Sequence, residues 1–267
     1  MDQQEFMMLC VHILALILGL CVGSFLNVVI YRLPNNMSLS NPGSHCTTCD
    51  YSLKWYDNIP VLSYILLMGK CRKCKSPISP RYMIVELVNA LLWLACTVLF
   101  WRESVLYAIA AAVVCSALIC IFFIDLEHML IFNRFTLIVA AGGVVAMFTQ
   151  GAWTDHLIGA AAGGIVFLAL YYGSLFLLKR EGMGFGDVKY AAAAGLLLGW
   201  QKLILAMLIA SVIGAVVMTA LNRMQKESEQ KEHPFGPYLA VGTLVAMLAG
   251  DAIIGWYMDL LLKMIMF

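Results

Sequence analysis

Long apolar stretches dominate this sequence, and their length limits what the chain can fold into. A helix that crosses the hydrocarbon core of a bilayer needs about 20 mostly apolar residues. The 267 residues are 62% hydrophobic and 12% charged, whereas a soluble domain carries about 25% charged residues. We therefore predict an all-α integral membrane protein with about eight transmembrane helices. The candidate stretches lie near residues 7–30, 83–101, 104–124, 132–150, 156–178, 188–200, 202–222 and 236–262.

The basic residues predict how these helices are oriented. Eight spans with both termini outside leave four inside loops, at 31–82, 125–134, 179–189 and 223–235. All of the 17 Lys and Arg residues except Arg102, Lys202 and Lys263 fall in those loops. Cytoplasmic loops carry an excess of Lys and Arg, so the four loops are predicted to face the cytoplasm. Because Asp2 and Glu5 precede the first apolar stretch where a signal peptide carries positive charge, we expect that helix to be retained.

Four of the nine cysteines form two CxxC pairs in the loop 31–82. Cys46 and Cys49 form one pair, and Cys71 and Cys74 follow after 21 residues. Two such turns can close a tetrahedral Zn²⁺ site, and four thiolates leave no open position for catalysis. We therefore predict a structural zinc that staples a small cytoplasmic domain with few apolar residues of its own. Cytoplasmic thiols stay reduced, which disfavours disulfides; redox thiols and unliganded thiols remain alternatives.

Two aspartates stand at the predicted inner ends of helices, where carboxylates are costly and therefore point to function. Asp125 closes the run SALICIFFID, and Asp187 closes EGMGFGD just before the sixth stretch. The charge-derived topology places both at the same depth on the same membrane face. Each also has an ordinary interpretation, because Asp125 can face water at a helix end and Asp187 can be an N-cap. Further acids are Glu86 at the inner side, and Asp251 and Asp259 toward the outer side.

Two facing carboxyl groups that share one proton can catalyse peptide hydrolysis. One acts as a base on water while the other polarises the scissile carbonyl. Gly182, Gly184 and Gly186 free the backbone before Asp187 from Cβ constraint. We expect a strand-like loop there that can lie beside an extended peptide substrate. The dyad formed by Asp125 and Asp187 is thus predicted to belong to an intramembrane aspartic peptidase.

Six segments in the same order give the chain a resemblance to a known family. It resembles the type IV prepilin peptidases, which are GxGD-type intramembrane aspartic peptidases. The two CxxC pairs also match that family's cytoplasmic domain. The six segments are GSFLNVVIYRLP (23–34), DNIPVLSYILLMGKC (57–71), ISPRYMIVELVNALL (78–92), IDLEHMLIF (124–132), GMGFGDVK (182–189) and HPFGPYLAVG (233–242).

The resemblance implies a bifunctional enzyme of the bacterial cytoplasmic (inner) membrane, with its active site facing the cytoplasm. Asp125 and Asp187 match the catalytic aspartates, and the four CxxC cysteines match the zinc ligands found in many members. The family cleaves the leader of prepilins and pseudopilins after a glycine and then N-methylates the new N-terminus with S-adenosylmethionine. No residue of this sequence can be assigned to that methyl donor. Prepilin-type substrates and lipid are the expected partners, and the net charge of +1 gives no basis for binding nucleic acid.

The same reading divides the chain into a first helix, 1–30, a zinc domain, 31–82, and a peptidase domain, 83–267. One departure from the family pattern is Ile131-Phe132-Asn133, where members usually carry Leu-Pro-Asp. This leaves the turn geometry after Asp125 open. A transporter that uses the two aspartates as cation sites and a redox protein that uses the CxxC thiols remain the alternatives from other classes.

Overall fold

The computed structural model of this protein describes residues 2–179, 183–224 and 233–266, and regular structure in these ranges is helical. This confirms the predicted all-α class. Gly182 and most of the predicted inside loop 223–235 lie outside the described residues. The helices are α1 (Gln3–Arg32), a 3₁₀ turn (Trp55–Asp57), α2 (Leu62–Leu66), α3 (Arg81–Phe100), α4 (Val105–His128), α5 (Asn133–Gln150), α6 (Trp153–Leu178), α7 (Phe185–Met224) and α8 (Gly236–Ile265).

Six helices of the described chain, namely α1, α3, α4, α6, α7 and α8, are long and apolar enough to cross a membrane. The predicted sixth and seventh stretches both lie in α7, which is interrupted at Gly199, where φ is 75° and ψ is 169°. Only glycine adopts such angles readily. Gly163 of α6 contacts Ala191 before the interruption and Leu203 after it. Both arms of α7 therefore pack against α6, and the chain reverses between them, as it would between two successive spans.

The chain divides into two compact units, one up to Cys120 and the other from Ile121. In the first unit α1 and α3 meet through glycines. A Cβ on Gly19 would stand 2.7 Å from the Ala90 backbone, and one on Gly23 would stand 2.7 Å from the Glu86 backbone. The backbones of α1 and α3 therefore approach each other closely at both glycines.

Buried hydrogen bonds from side chains also join these packed helices. Asn89 Nδ2 donates to the Gly19 carbonyl at 2.7 Å, and Ser116 Oγ donates to Asn89 Oδ1 at 2.8 Å. Trp93 Nε1 in turn donates to Ser116 Oγ at 2.9 Å. This chain of bonds connects α1, α3 and the first part of α4, and each buried polar group in it has a partner.

The second unit is packed still more closely around α7. A Cβ on Gly195 would overlap the carbonyl oxygen of Gly159, and one on Gly163 would overlap that of Ala191. On the other side of α7, a Cβ on Gly242 of α8 would overlap the Ala206 carbonyl. Helix backbones thus touch directly where side chains would hold them apart.

Candidate active site and metal centre

The helix ends of the second unit carry the two predicted catalytic aspartates. Asp125 lies in the last turn of α4 and Asp187 in the first turn of α7, and they are only 5% and 9% exposed. The negative charge of Asp125 acts on Asp187, so the two carboxyl groups lie within electrostatic range of each other. The structure therefore brings together the two acids that sequence spacing alone left 62 positions apart. Their assignment as catalytic stays a prediction.

Glycine and isoleucine backbones form the immediate surroundings of the two acids. A Cβ on Gly236, the first residue of α8, would overlap the Asp125 carboxylate, so no larger residue fits there without displacing it. Ile131 lies beside both glycines: a Cβ on Gly186 would stand 3.2 Å from Ile131 Cβ, and one on Gly236 would stand 3.2 Å from Ile131 Cδ1. Ile131 thus connects the surroundings of Asp125 with the segment that carries Asp187. Gly236 was not picked out from the sequence, and Ile131 was named only as part of the departure from the family pattern. Both belong to segments that carry the family resemblance.

The structure contradicts two interpretations of the segment before Asp187: the alternative of an N-cap and the expected strand-like loop as far as Gly186. Helix α7 begins at Phe185, so Asp187 is its third residue and not its N-cap. Gly186 is helical as well, and a strand-like conformation cannot extend that far. The glycines still serve close packing, because Gly186 meets Ile131 and the Gly184 carbonyl accepts the Asp187 N–H at 3.1 Å.

The departure from the Leu-Pro-Asp pattern leaves the backbone as a proline would set it. Phe132 is the N-cap of α5 with φ −74° and ψ 132°, and proline fixes φ near −65°. Asn133 then begins α5 and accepts a hydrogen bond from Lys189 Nζ at 3.2 Å. The Lys189 ammonium also lies 5.2 Å from the centre of the Phe185 ring. A polar contact therefore joins the two aspartate-bearing segments at Asn133.

The other acids named from the sequence do not join this pair. Asp251 forms an ion pair with Lys202 at 2.7 Å, and its side chain is 83% exposed. Asp259 is exposed on α8. Glu86 belongs to the first unit, where it is buried and accepts a hydrogen bond from the Val61 N–H at 2.7 Å.

The four CxxC cysteines converge into one cluster that can hold a metal ion. Their sulfur atoms all lie within 4.8 Å of one another, and the sulfurs of Cys46 and Cys74 are 3.8 Å apart. Tetrahedral Zn–S bonds of about 2.3 Å place sulfurs about 3.8 Å apart, so the donor set fits Zn²⁺ in kind, number and spacing.

The two CxxC turns share one backbone arrangement. The N–H of Cys46 donates to the Tyr51 carbonyl, and that of Cys71 donates to the Ser76 carbonyl in the equivalent position. An isolated β-bridge closes each turn, and the residue after each second cysteine, Asp50 or Lys75, has a positive φ. Residues 45–52 and 70–77 thus present their thiols in the same way from two sides.

The clustered thiols differ in acidity. Backbone N–H groups of Thr48 and Cys49 lower the pKa of Cys46 to about 6, and hydrogen bonds from Ser76 lower that of Cys74. For Cys49 the hydrogen bond from the Tyr51 backbone lowers the pKa, but burial and the neighbouring thiols raise it to about 11. Four crowded thiols cannot all ionise without a cation among them.

A buried aspartate that the sequence reading missed organises the rest of this domain. Asp57 accepts hydrogen bonds from Arg72 Nε at 2.6 Å, the Lys54 N–H at 3.2 Å and the Tyr51 hydroxyl at 3.2 Å. Arg72 lies between the paired cysteines and also covers the Tyr56 ring. The available signal was that Asp57 is one of two acids among the seven Lys and Arg residues of the loop 31–82. Its hydrogen-bond partners, however, are contributed by separate segments.

Comparison with known proteins agrees with this architecture. Residues 17–100 match the bacterial peptidase A24 N-terminal domain, and residues 112–219 match the type IV leader peptidase family. A prepilin leader peptidase/N-methyltransferase of Aeromonas hydrophila is 36% identical over 92% of this chain and 93% of its own length. Proteins of the same description from Pseudomonas aeruginosa and Myxococcus xanthus are 32% identical over 91% of the chain and 42% identical over 75% of it. The chain belongs to the type IV leader peptidase family.

No solved structure gives a significant match to the chain.

Proposed function

We propose that this protein removes the leader peptide of type IV prepilins or type II secretion pseudopilins and N-methylates the new N-terminal residue. Family membership and the relatives' shared description support both activities. The observation that carries the peptidase half is the buried, electrostatically interacting pair Asp125 and Asp187.

In this proposal the two aspartates act as one acid–base unit. One carboxylate takes a proton from the attacking water while the protonated partner donates to the scissile carbonyl oxygen. The narrow surroundings formed by Gly236 and Ile131 hold the carboxyl groups in place. Residues 83–267 carry this chemistry, and the aspartates face the cytoplasm of the inner membrane, as the distribution of Lys and Arg predicts.

The thiol cluster has a structural part in the proposal. Cys46, Cys49, Cys71 and Cys74 bind Zn²⁺, which fixes the fold of the domain 31–82. The methyl donor is S-adenosylmethionine, which supplies an electrophilic methyl group to the amine that cleavage exposes.

Single isosteric substitutions test the dyad. Asp125→Asn and Asp187→Asn should each lower leader cleavage by about 10²- to 10⁴-fold, the contribution of a positioned acid or base. Co-expression with a prepilin and separation of precursor from mature pilin measures the loss. Asp259→Asn is the matched control, because it removes an exposed acid from the same unit. Cleavage at the wild-type rate by either dyad variant would refute the assignment.

The methyltransferase half has a separate readout. The intact mass of the processed pilin should exceed that of the unmodified product by about 14 Da, the mass of one added CH₂. An unmodified N-terminus would remove this half and leave the peptidase half in place.

A further inference from the structure

The first unit encloses a large cavity that the peptidase chemistry does not use. Its volume is about 900 Å³, within the range of about 300–1,000 Å³ that small-molecule sites occupy. The cavity is lined by the last turns of α1, the domain 31–82 and the first turns of α3. Two of the clustered thiols, Cys46 and Cys71, belong to its lining, so the cysteine cluster forms part of one wall.

An unsatisfied acceptor lies in this lining. Asn27 is 3% exposed, and its Nδ2 donates to the carbonyls of Gly23 at 3.3 Å and Tyr82 at 3.0 Å. Those two bonds fix the orientation of the amide, because carbonyls accept only from the NH₂ group. Within the described ranges, Asn27 Oδ1 is one of three buried side-chain atoms without a hydrogen-bond partner. Such an atom is costly unless a ligand or water donates to it.

A buried acid lies in the same lining. Glu86 is 8% exposed and receives hydrogen bonds from the Val61 N–H and the Ser24 side chain. Neither partner carries a charge, and no ion pair with Glu86 occurs in the part of the chain that the structure describes. A buried carboxylate is normally paired with a cation. Glu86 therefore offers a local negative charge to a positively charged group of a ligand. Of the other charged residues in the lining, Asp57 and Arg72 pair with each other and Arg32 donates to backbone carbonyls.

We propose that this cavity binds S-adenosylmethionine, with Glu86 facing its positively charged sulfonium end and Asn27 Oδ1 accepting from one of its N–H groups. The inference rests on the proposed methyltransferase activity and assigns residues to it. The ligand's chemistry matches the lining: a cation for Glu86, a hydrogen-bond donor for Asn27, and an aromatic base that can stack on Tyr31, Tyr64 or Tyr82 of the wall.

The negative charge of Glu86 also suits a reaction that converts a positively charged donor into a neutral product. The amine nitrogen attacks the methyl carbon, the carbon–sulfur bond breaks with its electron pair left on sulfur, and the amine releases a proton. The sulfur compound that remains is neutral, so Glu86 should hold the charged donor more tightly than the spent product. That difference would favour exchange of product for fresh donor.

Equilibrium dialysis of the full-length protein in detergent tests the site without turnover. Two probes separate charge from shape: sinefungin, which carries an ammonium in place of the methyl sulfonium, and neutral S-adenosylhomocysteine. Glu86→Gln should weaken sinefungin binding about 10- to 100-fold and change S-adenosylhomocysteine binding about threefold at most. Asn27→Leu should weaken both probes. Glu103→Gln, an exposed acid of the same unit, is the matched control, and zinc content checks that each variant is folded.

Each outcome decides between the proposals. Wild-type affinity of both probes in Glu86→Gln and Asn27→Leu would overturn the cavity assignment while pilin methylation by the wild type still supported the proposed function. An equal loss of both probes in Glu86→Gln would refute the charge-based role. If Glu86→Gln binds sinefungin normally and raises KM only for the cleaved pilin, Glu86 contacts the amine substrate and the assignment is wrong. A wild type that cleaves leaders but binds neither probe would overturn this inference and the methyltransferase half together.

Discussion

The domain between α1 and α3 and the helical unit from Ile121 are held together by opposite means. The domain has one short helix and one 3₁₀ turn, and its order comes from four converging thiols and from the hydrogen bonds to Asp57. Within the described residues of the helical unit, no comparable cluster of metal-ligand side chains occurs. Its helices meet at glycines, where backbone touches backbone.

This difference determines which kind of functional site each region can form. A domain held by clustered thiols and a few polar contacts can leave a cavity of about 900 Å³ open for a small molecule. Close helix packing can instead bury two neighbouring carboxyl groups and hold them in place. The two regions should therefore lose their structure under different perturbations.

Removing the metal should have the largest effect, and only on the domain. Structural zinc contributes about 10–16 kcal/mol to folding of small zinc domains. Cys71→Ser should lower the zinc content from about one ion per chain to about none and make residues 33–80 sensitive to proteolysis. Metal analysis and limited proteolysis measure both. Cys10→Ser, an exposed thiol of α1, should change neither, and a metal-free wild type with a protected domain would contradict the structural role.

One methyl group should suffice to disturb the helical unit. Gly195→Ala places a Cβ on the Gly159 carbonyl oxygen, and overpacking of this kind lowers the free energy of unfolding by about 1–3 kcal/mol. Gly173→Ala in α6 is the matched control, because a Cβ there meets nothing within 4 Å. It should be neutral or stabilise by up to about 1 kcal/mol. Denaturation in detergent micelles compares the two, and equal stabilities would refute packing through backbone contact.

The contact between Lys189 and Asn133 should have a smaller effect, confined to the peptidase activity. Lys189→Met removes a bond of 3.2 Å that joins the two aspartate-bearing segments. An exposed polar pair contributes about 0.2–1 kcal/mol, so kcat for leader cleavage should fall about two- to fivefold. Asn133→Asp keeps an acceptor for the ammonium and should retain activity, whereas Asn133→Leu should behave like Lys189→Met. Loss of activity in Asn133→Asp would show that the contact does not act through hydrogen bonding.

The smallest effect is expected at Phe132. Its φ of −74° already suits proline, so Phe132→Pro should change the free energy of unfolding by no more than about 1 kcal/mol. Thermal unfolding and the rate of leader cleavage both test this. A large loss of stability would mean that the Phe132 side chain, which packs near Phe135 at 6.5 Å between ring centres, matters more than its backbone.

Much of this architecture was predictable because its signals are local. Hydropathy predicted the helices, and CxxC spacing predicted that four thiols would meet, since each pair lies on one turn. The conformation before Asp187 was mispredicted because glycines permit a loop without requiring one, and packing against Ile131 accompanies a helical Gly186. Asp57 was missed because its value as a buried acceptor depends on Arg72, fifteen residues away.

The sequence by itself determined the membrane class, the thiol cluster and the two acids at helix ends. Both burial in lipid and metal-ligand spacing constrain residues that are close together in the sequence. Only the tertiary structure decided that Ile131 lies between the segments of Asp125 and Asp187, and that α7 reverses at Gly199. It also decided that Asn27 and Glu86 line one cavity. These features depend on packing between segments that are distant in the sequence, so no single stretch of the chain predicts them.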